Sequence, residues 1–262
     1  MSLPLFHVDA FTSRPFAGNP AAVCPLKHWL DDQLLQAVAS ENNLSETAFF
    51  VPAGDCYELR WFTPRCEVKL CGHATLASAF VVLQILETAR EAVRFETRFS
   101  GALTVSREGD LLAMDFPALV PWACPTPPAA LVDGLGAVPA EVVQIEDNYF
   151  AVYESQEEIR RIRPDFRLLE KLHPAGVAIT APGENSDFVS RYFVPSYGIP
   201  EDPVTGSTHC SLAPYWAQRL GKTSLHARQI SERGGELWCE VSRERVILKG
   251  NAALTLRGEL LI

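Results

Sequence analysis

The fold is decided by the stretch Arg60-Trp-Phe-Thr-Pro64, which is followed by Cys71-Gly-His-Ala-Thr75 and then by a long apolar segment. The same order recurs in the second half, where Arg191-Tyr-Phe-Val-Pro195 is followed by Thr205-Gly-Ser-Thr-His209. Each copy predicts a strand, a loop, and a helix that begins at a glycine. Repetition within one chain indicates a duplicated α+β unit, although short strand-to-helix junctions also resemble one another by chance.

Outward from the two copies, the pattern predicts two halves of similar build. Residues 117–139 are rich in Pro, Ala and Gly, which is typical of a linker. We therefore expect an N-terminal domain over residues 1–117 and a C-terminal domain over residues 118–251. Whether a strand at about 252–262 returns to the first domain is left open.

Strands and helices are expected in both halves. Acidic Asp31 and Asp32 favour a helix start, and Asn42-Asn43 favours its end. Further helices are expected from Gly72 and over residues 164–172 and 206–220, where Pro214 should kink the helix or start it anew. The expected strands lie near residues 5–11, 47–51, 58–62, 93–95, 103–105, 111–116, 149–153, 176–180, 188–193, 237–241, 245–249 and 252–262, the last three as an antiparallel meander.

Composition argues against several classes of function. Hydrophobic residues make up 47% of the chain and charged residues 21%, enough for a core that folds without a partner. The net charge of −9 argues against nucleic-acid binding, and no basic run suggests a membrane surface. We expect no signal peptide and no membrane span, because the most apolar stretch, residues 74–86, is shorter than about 18 residues. Seven scattered cysteines do not form a disulfide framework, so the cytoplasm is the expected location.

The two predicted helix starts are candidate anion sites. Unpaired backbone N–H groups and the helix dipole place about half a positive charge at such an end. Gly72 and Gly206 would let a ligand approach the backbone closely, although ordinary glycine capping is the commoner use of such residues. Two ends of this kind predict a small anionic ligand, of which a carboxylate is the simplest.

Three titratable residues lie near these helix starts. Glu46 directly precedes an apolar strand, where a desolvated carboxylate can act as general acid or base, although an isolated Glu at a strand end is usually solvated. Asp202 lies on the loop before the second helix, where turn formation is its ordinary role. His73 follows the first helix glycine, where the positive end favours a neutral imidazole; capping or packing is its plainer role.

Four motifs, in this order, resemble those of the PhzF family. They are Phe6-His-Val-Asp-Ala-Phe-Thr-Ser-Arg-Pro-Phe-Ala-Gly-Asn-Pro-Ala-Ala-Val23, Leu44-Ser-Glu-Thr-Ala-Phe49, Cys71-Gly-His-Ala-Thr75 and Glu201-Asp-Pro-Val-Thr-Gly-Ser207. Similarity continues to Leu248-Lys-Gly-Asn-Ala252 and so covers nearly the whole chain. The resemblance implies an α+β fold of two pseudo-symmetric, diaminopimelate-epimerase-like domains, each a mixed, mostly antiparallel sheet around a central helix, with the site in the cleft.

The resemblance also implies a chemistry. The best-known activity of the family is isomerisation of trans-2,3-dihydro-3-hydroxyanthranilate, a proton shift that needs no metal and no organic cofactor. By motif, Glu46 would transfer the proton, while His73 and Asp202 would orient the substrate and tune its protonation. A homodimer and a small anionic substrate are further expectations, and no residue identifies that substrate. The substrate-binding residues would be Asn19, Ser45, Gly72, Gly206 and Ser207.

An amino-acid epimerase is the nearest rival. Relatives on this fold use two facing thiols, and Cys71 stands directly before Gly72, but Thr205 occupies the matching place before Gly206. Only a pairing of Cys71 with Glu46 or Asp202 would then serve, and this remains open. A non-catalytic partner-binding protein that keeps the fold is the rival from another class.

Other readings have little support in the sequence. Ser207 and His209 are only two apart on a predicted helix and have no nucleophile elbow, which argues against a serine hydrolase. No phosphate-binding glycine loop is present. His73, His209 and Cys210 have no known metal-ligand spacing, so no metal is expected, and Cys210 is expected to pack in the core.

Overall fold

Two units with the same order of strand pairing make up the chain in the computed structural model, which describes residues 2–146 and 148–262. Unit 1 comprises Met1–Asp115 with Lys249–Ile262, and unit 2 comprises Phe116–Leu248. The chain thus returns to unit 1 for its final strand. Within the described residues, no helix is both long enough and apolar enough to cross a membrane.

Within its described residues, unit 1 combines nine strands with two helices. The helices are α1 (Asp32–Asn42) and α2 (Gly72–Val81), and a π-helical turn at Val82–Leu86 extends α2. The strands are β1 (Ser2–Ala10), β2 (Asn19–Pro25), β3 (Glu46–Ala53), β4 (Cys56–Phe62), β5 (Glu67–Val68), β6 (Ala92–Thr97), β7 (Gly101–Glu108), β8 (Leu111–Pro117), which crosses the unit boundary, and β18 (Ala252–Leu261).

Helix α1 begins and ends where the sequence predicts. The Asp31 carboxylate accepts a hydrogen bond from the backbone N–H of Gln33 (2.9 Å), which satisfies a donor that the helix leaves unpaired. At the other end Asn43 adopts the left-handed conformation (φ 48°) that terminates helices. The helix buries Leu35 and Val38 in the core of unit 1.

Helix α2 is the buried centre of unit 1. Strands β1, β2 and β3 pack against it, and most of its residues have no exposed side. Small side chains make this close packing possible, and the hydroxyls of Thr75 and Ser78 donate to the carbonyls of Cys71 (2.6 Å) and Ala74 (2.7 Å). The first turn of α2 is therefore held rigidly beside the start of β3.

Unit 2 combines short helices with one long one. The helices are α3 (Ala129–Leu135), α4 (Gln156–Arg161), α5 (Phe166–Leu169) and α6 (Gly206–Leu220), with single 3₁₀ turns at Glu170–Leu172 and Pro195–Tyr197. The strands are β9 (Trp122–Ala123), β10 (Glu141–Ile145), β11 (Asn148–Val152), β12 (Gly176–Pro182), β13 (Phe188–Val194), β14 (Ile199–Asp202), β15 (Ser224–Gln229), β16 (Gly235–Ser242) and β17 (Arg245–Gly250).

The strand pairing of unit 1 is repeated in unit 2. In unit 1, β2 and β3 are parallel, β3 and β4 antiparallel, β4 and β6 parallel, and β6 and β7 antiparallel. The same series joins β11 to β12, β12 to β13, β13 to β15 and β15 to β16. The predicted α+β fold of two pseudo-symmetric, diaminopimelate-epimerase-like halves is confirmed.

Matching arginines fix the hairpin that precedes each central helix. Arg60 on β4 donates two hydrogen bonds to Glu67 (2.7 and 2.9 Å), and Arg191 on β13 donates two to Glu201 (both 2.8 Å). Each guanidinium also lies 5.0 Å from the centre of the aromatic ring two residues along its strand. Each glutamate stands five residues before the helix glycine, which gives the internal repeat a physical basis.

One expectation about connections is wrong. The segment 117–139 is not a bare linker, because it contains β9 and α3, and Leu131 and Leu135 are buried in the core of unit 2.

The last strand, whose return to the first half the sequence left open, pairs with the first strand of unit 1. Strand β18 is antiparallel to β1, from Ser2 opposite Leu261 to Ala10 opposite Ala252.

Pro214 lies within a continuous helix, so the expectation of a new start at this residue is wrong. A proline cannot donate to the carbonyl four residues earlier, here that of Cys210. The backbone N–H of Leu119 donates to this carbonyl instead, at 2.9 Å. The lost hydrogen bond is thus replaced from outside the helix.

Candidate active site

Glu46 and His73 form an ion pair in unit 1. Glu46 is the first residue of β3 and His73 is the second residue of α2, and Oε2 of Glu46 lies 3.1 Å from Nε2 of His73. Their side chains are 14% and 8% exposed, so both groups are largely withdrawn from water. The structure thus brings together two of the three predicted catalytic residues.

Asn19 and Ser45 extend this pair into a chain of polar contacts. Asn19, fully buried at the start of β2, places its amide nitrogen 3.3 Å from Nδ1 of His73. The hydroxyl of Ser45 donates to Oδ1 of Asn19 at 3.2 Å. An amide can present oxygen or nitrogen after a half-turn, so Asn19 can serve either protonation state of His73.

Cys71, to which the sequence gives a role only in the rival epimerase, also belongs to this cluster. It is the residue before α2, and its Sγ lies 3.5 Å from Nδ1 and 4.0 Å from Nε2 of His73. Burial raises the pKa of its thiol to about 11, and the charge of Glu46 adds to the shift. The thiol is therefore protonated near neutral pH. The residue order Cys71-Gly72-His73 was the available signal for this contact.

His73 differs from the neutral imidazole predicted at a helix start. Burial alone would lower its pKa, but Cys71 and the carboxylate of Glu46 raise the pKa of His73 well above its ordinary value. Because the thiol of Cys71 is neutral near pH 7, Glu46 is the group that stabilises the imidazolium there. The nearby carboxylate outweighs the helix dipole, which is the physical reason for the correction.

Gly72 opens the backbone at this helix start. A β-carbon built on it would meet no atom within 4 Å, so space remains directly beside the first turn of α2. The first N–H groups of a helix have no partner within it, and they can donate to an anion in this space.

In unit 2 the predicted residues gather at the start of α6. The hydroxyl of Thr205 donates to Oδ2 of Asp202, and its backbone N–H donates to Oε1 of buried Gln229 at 2.9 Å. Nε2 of Gln229 donates in turn to the carbonyl oxygen of Asp202 (2.7 Å). Gly206 is buried, whereas Ser207 is exposed. Gln229 had no sequence signal, because it reaches this loop from β15, 23 residues further along the chain from Gly206.

Alignment of the two repeated units identifies the residue of unit 2 that corresponds to Glu46. Phe62 and Phe193 both lie two residues beyond the hairpin arginine, and the strand registers then align Glu46 with Gly176. A β-carbon on Gly176 would lie 2.2 Å from the hydroxyl oxygen of Tyr192. Unit 2 therefore has neither a carboxylate nor room for one at this position.

The same alignment pairs the two helix starts. Counting from the glycines, Cys71 corresponds to Thr205 and His73 corresponds to Ser207. A thiol and an imidazole in unit 1 are thus replaced by two hydroxyls in unit 2. Among the described residues, the titratable groups at these aligned positions therefore stand in unit 1 alone.

Comparison with known proteins agrees with this geometry. The model of the PhzC–PhzF family, described as phenazine biosynthesis-like protein, matches residues 8–258. The chain belongs to this family. An uncharacterised isomerase of Pseudomonas aeruginosa is 56% identical, with 99% of each chain covered. These findings agree with the isomerase activity predicted from the motifs of this PhzF-family chain.

Solved structures place the family within a wider fold. The crystal structure of a PhzF-family phenazine biosynthesis protein from Enterococcus faecalis is 46% identical, covers 100% of both chains and has a TM-score of 0.96. A probable proline racemase from Agrobacterium radiobacter is 11% identical, with 99% of this chain and 92% of the other covered and a TM-score of 0.63. The second likeness shows the fold alone.

Proposed function

We propose that this protein is a cofactor-independent isomerase that moves a proton between two carbons of a small carboxylate, with Glu46 as the acid–base group. The observation that carries the proposal is the buried pair of Glu46 and His73, which has no counterpart at the aligned positions of unit 2. A single carboxylate can remove a proton from one carbon and return it to another. A two-base racemase needs a second group of similar strength.

The residues of unit 1 can supply each part of a proton shift. Glu46 takes the proton from carbon, and the electron pair of that bond moves into the conjugated system of the substrate. The positive charge of His73, which the raised pKa favours, stabilises the anionic intermediate. Glu46 then delivers the proton to a second carbon, so the enzyme ends the cycle unchanged.

Substrate binding is assigned to the helix starts. The carboxylate would accept hydrogen bonds from backbone N–H groups beside Gly72, as the open space there allows. The roles of Asp202, Gly206 and Ser207 stay predictions; at the start of α6 the hydroxyl of Ser207 is exposed, and Thr205 and Gln229 hold the Asp202 loop. The homodimer and the small anionic substrate that the sequence predicts stay predictions.

An epimerase that uses Cys71 is the second candidate. The contact between Sγ of Cys71 and the ring of His73, at 3.5 Å, favours it, because an imidazole can draw a proton from a thiol. The raised pKa of Cys71, about 11, argues against it, since little thiolate is present near neutral pH. The isomerase is therefore preferred.

Deuterium exchange tests the proposal. The purified protein is incubated in deuterated water with a panel of small cyclic and amino carboxylic acids, and deuterium uptake is measured by mass spectrometry. We expect uptake on the wild type and a loss of about 10²- to 10⁴-fold in Glu46→Gln, the range for removal of a general base. Cys71→Ser is the matched control from the same cluster and should keep most of the uptake.

Other outcomes point elsewhere. Loss of uptake in Cys71→Ser with retention in Glu46→Gln would replace the isomerase by the epimerase. With substrate deuterated at the reacting carbon, a single base predicts that part of the label reappears at the second carbon. Uptake at one carbon alone, with inversion there, would contradict the isomerase.

A further inference from the structure

Glu46, Cys71 and His73 bring three kinds of metal ligand to one buried place. One carboxylate oxygen, one sulfur and one ring nitrogen all lie within 4.8 Å of one another. Across residues 2–146 and 148–262, this is the group of three or more acidic, cysteine and histidine side chains with that geometry. The predicted chemistry uses Glu46 and His73, and it leaves Cys71 without a role.

The distances fit a tetrahedral ion. Zinc binds sulfur at about 2.3 Å and histidine nitrogen at about 2.0–2.1 Å, which separates tetrahedral S and N ligands by about 3.6 Å and N and O ligands by about 3.3 Å. Sγ of Cys71 and Nε2 of His73 are 4.0 Å apart, and Nε2 of His73 and Oε2 of Glu46 are 3.1 Å apart. Movements of a few tenths of an ångström would bring these two pairs to tetrahedral separations, and the third pair, sulfur and carboxylate oxygen, lies within 4.8 Å.

The surroundings already hold the ligands in place. A histidine that binds metal usually donates its second ring N–H to an oxygen. The amide nitrogen of Asn19 lies 3.3 Å from Nδ1, and its oxygen accepts from Ser45; a half-turn of this amide presents the oxygen to Nδ1 and lets Asn19 donate to the Ser45 hydroxyl instead. Nε2 is thereby left to face Glu46. Among the described residues no donor meets Oε2 of Glu46 with hydrogen-bond geometry, although that atom is buried.

We propose that Glu46, Cys71 and His73 form an inhibitory site for Zn²⁺. Three protein ligands bind the ion, and the open space beside Gly72 leaves the fourth position to water or to the carboxylate of the substrate. Binding forms one bond each from the ion to sulfur, nitrogen and oxygen, and the thiol and imidazolium protons pass to solvent.

The consequence for turnover rests on the proposed function. An ion on Oε2 of Glu46 occupies the group assigned to proton transfer, so the zinc-loaded protein should not exchange deuterium into its substrate. Binding itself is independent of that assignment and needs no substrate to be measured.

Cobalt(II) is the probe, because it replaces Zn²⁺ in tetrahedral sites and its bond to thiolate absorbs in the near ultraviolet. The metal-free full chain, kept reduced with a phosphine, is titrated with Co²⁺. We expect a sulfur-to-cobalt band that saturates at one ion per chain and that one equivalent of Zn²⁺ removes. Cys71→Ser should lose the band, and Glu46→Gln, which preserves shape, should keep it with an affinity lowered by more than the about 10- to 100-fold that loss of an outer-shell partner costs.

Matched controls separate this site from the surface thiols. Cys66 is exposed and Cys56 half-buried, so Cys66→Ser and Cys56→Ser should leave the titration unchanged. A band that disappears in either of these variants, or that survives in Cys71→Ser, would overturn the proposal, as would the absence of any band in the wild type. Deuterium exchange that depends on Glu46, without cobalt binding, would refute the zinc site and leave the isomerase standing.

Discussion

At the residue scale, the charge on His73 is the property on which the site depends. Glu46→Gln removes the carboxylate and preserves its shape. The pKa of His73 should then fall, because burial lowers it and the carboxylate that raised it is gone. Titration of the histidine ring signals by NMR measures this shift. His209 is an internal reference, since burial lowers its pKa to about 4 and it should stay neutral throughout. An unchanged titration of His73 in the variant would show that Glu46 does not raise the pKa of His73.

The raised pKa of His73 also makes the free energy of unfolding depend on pH. The folded-state pKa of His73 lies above the unfolded value of about 6.5, so its stabilisation is fully present below about pH 6.5. That stabilisation is lost as the pH rises through the folded-state pKa. Urea unfolding from pH 6.5 upward should therefore show the advantage of wild type over Glu46→Gln narrowing.

Gly72 tests the approach of a ligand to the backbone. Since a β-carbon there meets no atom within 4 Å, Gly72→Ala should fold normally and gain up to about 1 kcal/mol from helix propensity. The added methyl group would fill the space proposed for the carboxylate, so KM should rise at least about tenfold, more than 1 kcal/mol of binding. Thermal unfolding and substrate titration check the two halves of this prediction. Unchanged KM would place the substrate elsewhere.

Short sequence motifs were enough to predict some of the site residues. Residues that reach the site only through tertiary contacts were missed. Glu46 and His73 stand in short motifs, and the structure shows them in contact. Gln229 supports the Asp202 loop from a distant strand, and no local pattern indicates such a contact. The charge of His73 was predicted wrongly because the helix dipole is visible in sequence, whereas the position of Glu46 is not.

At the element scale, the hairpin arginines hold the loops that begin the central helices. Arg191 is 12% exposed and makes a two-pronged bond to Glu201, besides hydrogen bonds to the carbonyls of Ile159 and Ile162. Arg191→Lys keeps the charge but loses the planar fork, so we expect a loss of about 1–2 kcal/mol in the free energy of unfolding. Arg167→Lys is the control on an exposed arginine and should leave the free energy of unfolding nearly unchanged. Equal losses of stability in Arg191→Lys and Arg167→Lys would contradict the proposal that Arg191 holds the hairpin.

A helix or strand could be predicted when the residues that define it are close together in the sequence. The bounds of α6 follow from Gly206 and from Gly221, whose left-handed φ of 65° ends the helix. Strands β10 and β15 were missed although each pairs with the next strand in sequence, because β10 has only five residues and the apolar residues of β15 are only Leu225 and Ala227. The helix through Pro214 could not be foreseen, since Leu119 supplies the missing donor from another segment.

At the scale of the whole molecule, one architecture occurs twice, and the carboxylate of Glu46 and the imidazole of His73 have no counterpart at the aligned positions of unit 2. Duplication explains why a repeat in sequence could predict the fold class. It also explains why Gly176 and Ser207 can match Glu46 and His73 in position and differ in chemistry, because packing preserves the backbone while the side chains diverge.

Strand β18 allows the dependence of unit 1 on its last segment to be tested. Residues 2–5 of β1 pair with β18 alone, because β2 meets β1 only from Phe6 onward. Deletion of residues 252–262 would leave those backbone groups unpaired and expose Leu3 and Leu5, which β18 helps to cover. Hydrogen exchange measured by mass spectrometry should then show lost protection in peptides from β1, β2 and α2, which carry Asn19 and His73, with peptides from α6 and β12 unchanged. Because the candidate proton-transfer groups lie in unit 1, deuterium uptake by substrate should fall with that protection. Equal loss of protection in both units would mean that the final strand stabilises the chain as a whole.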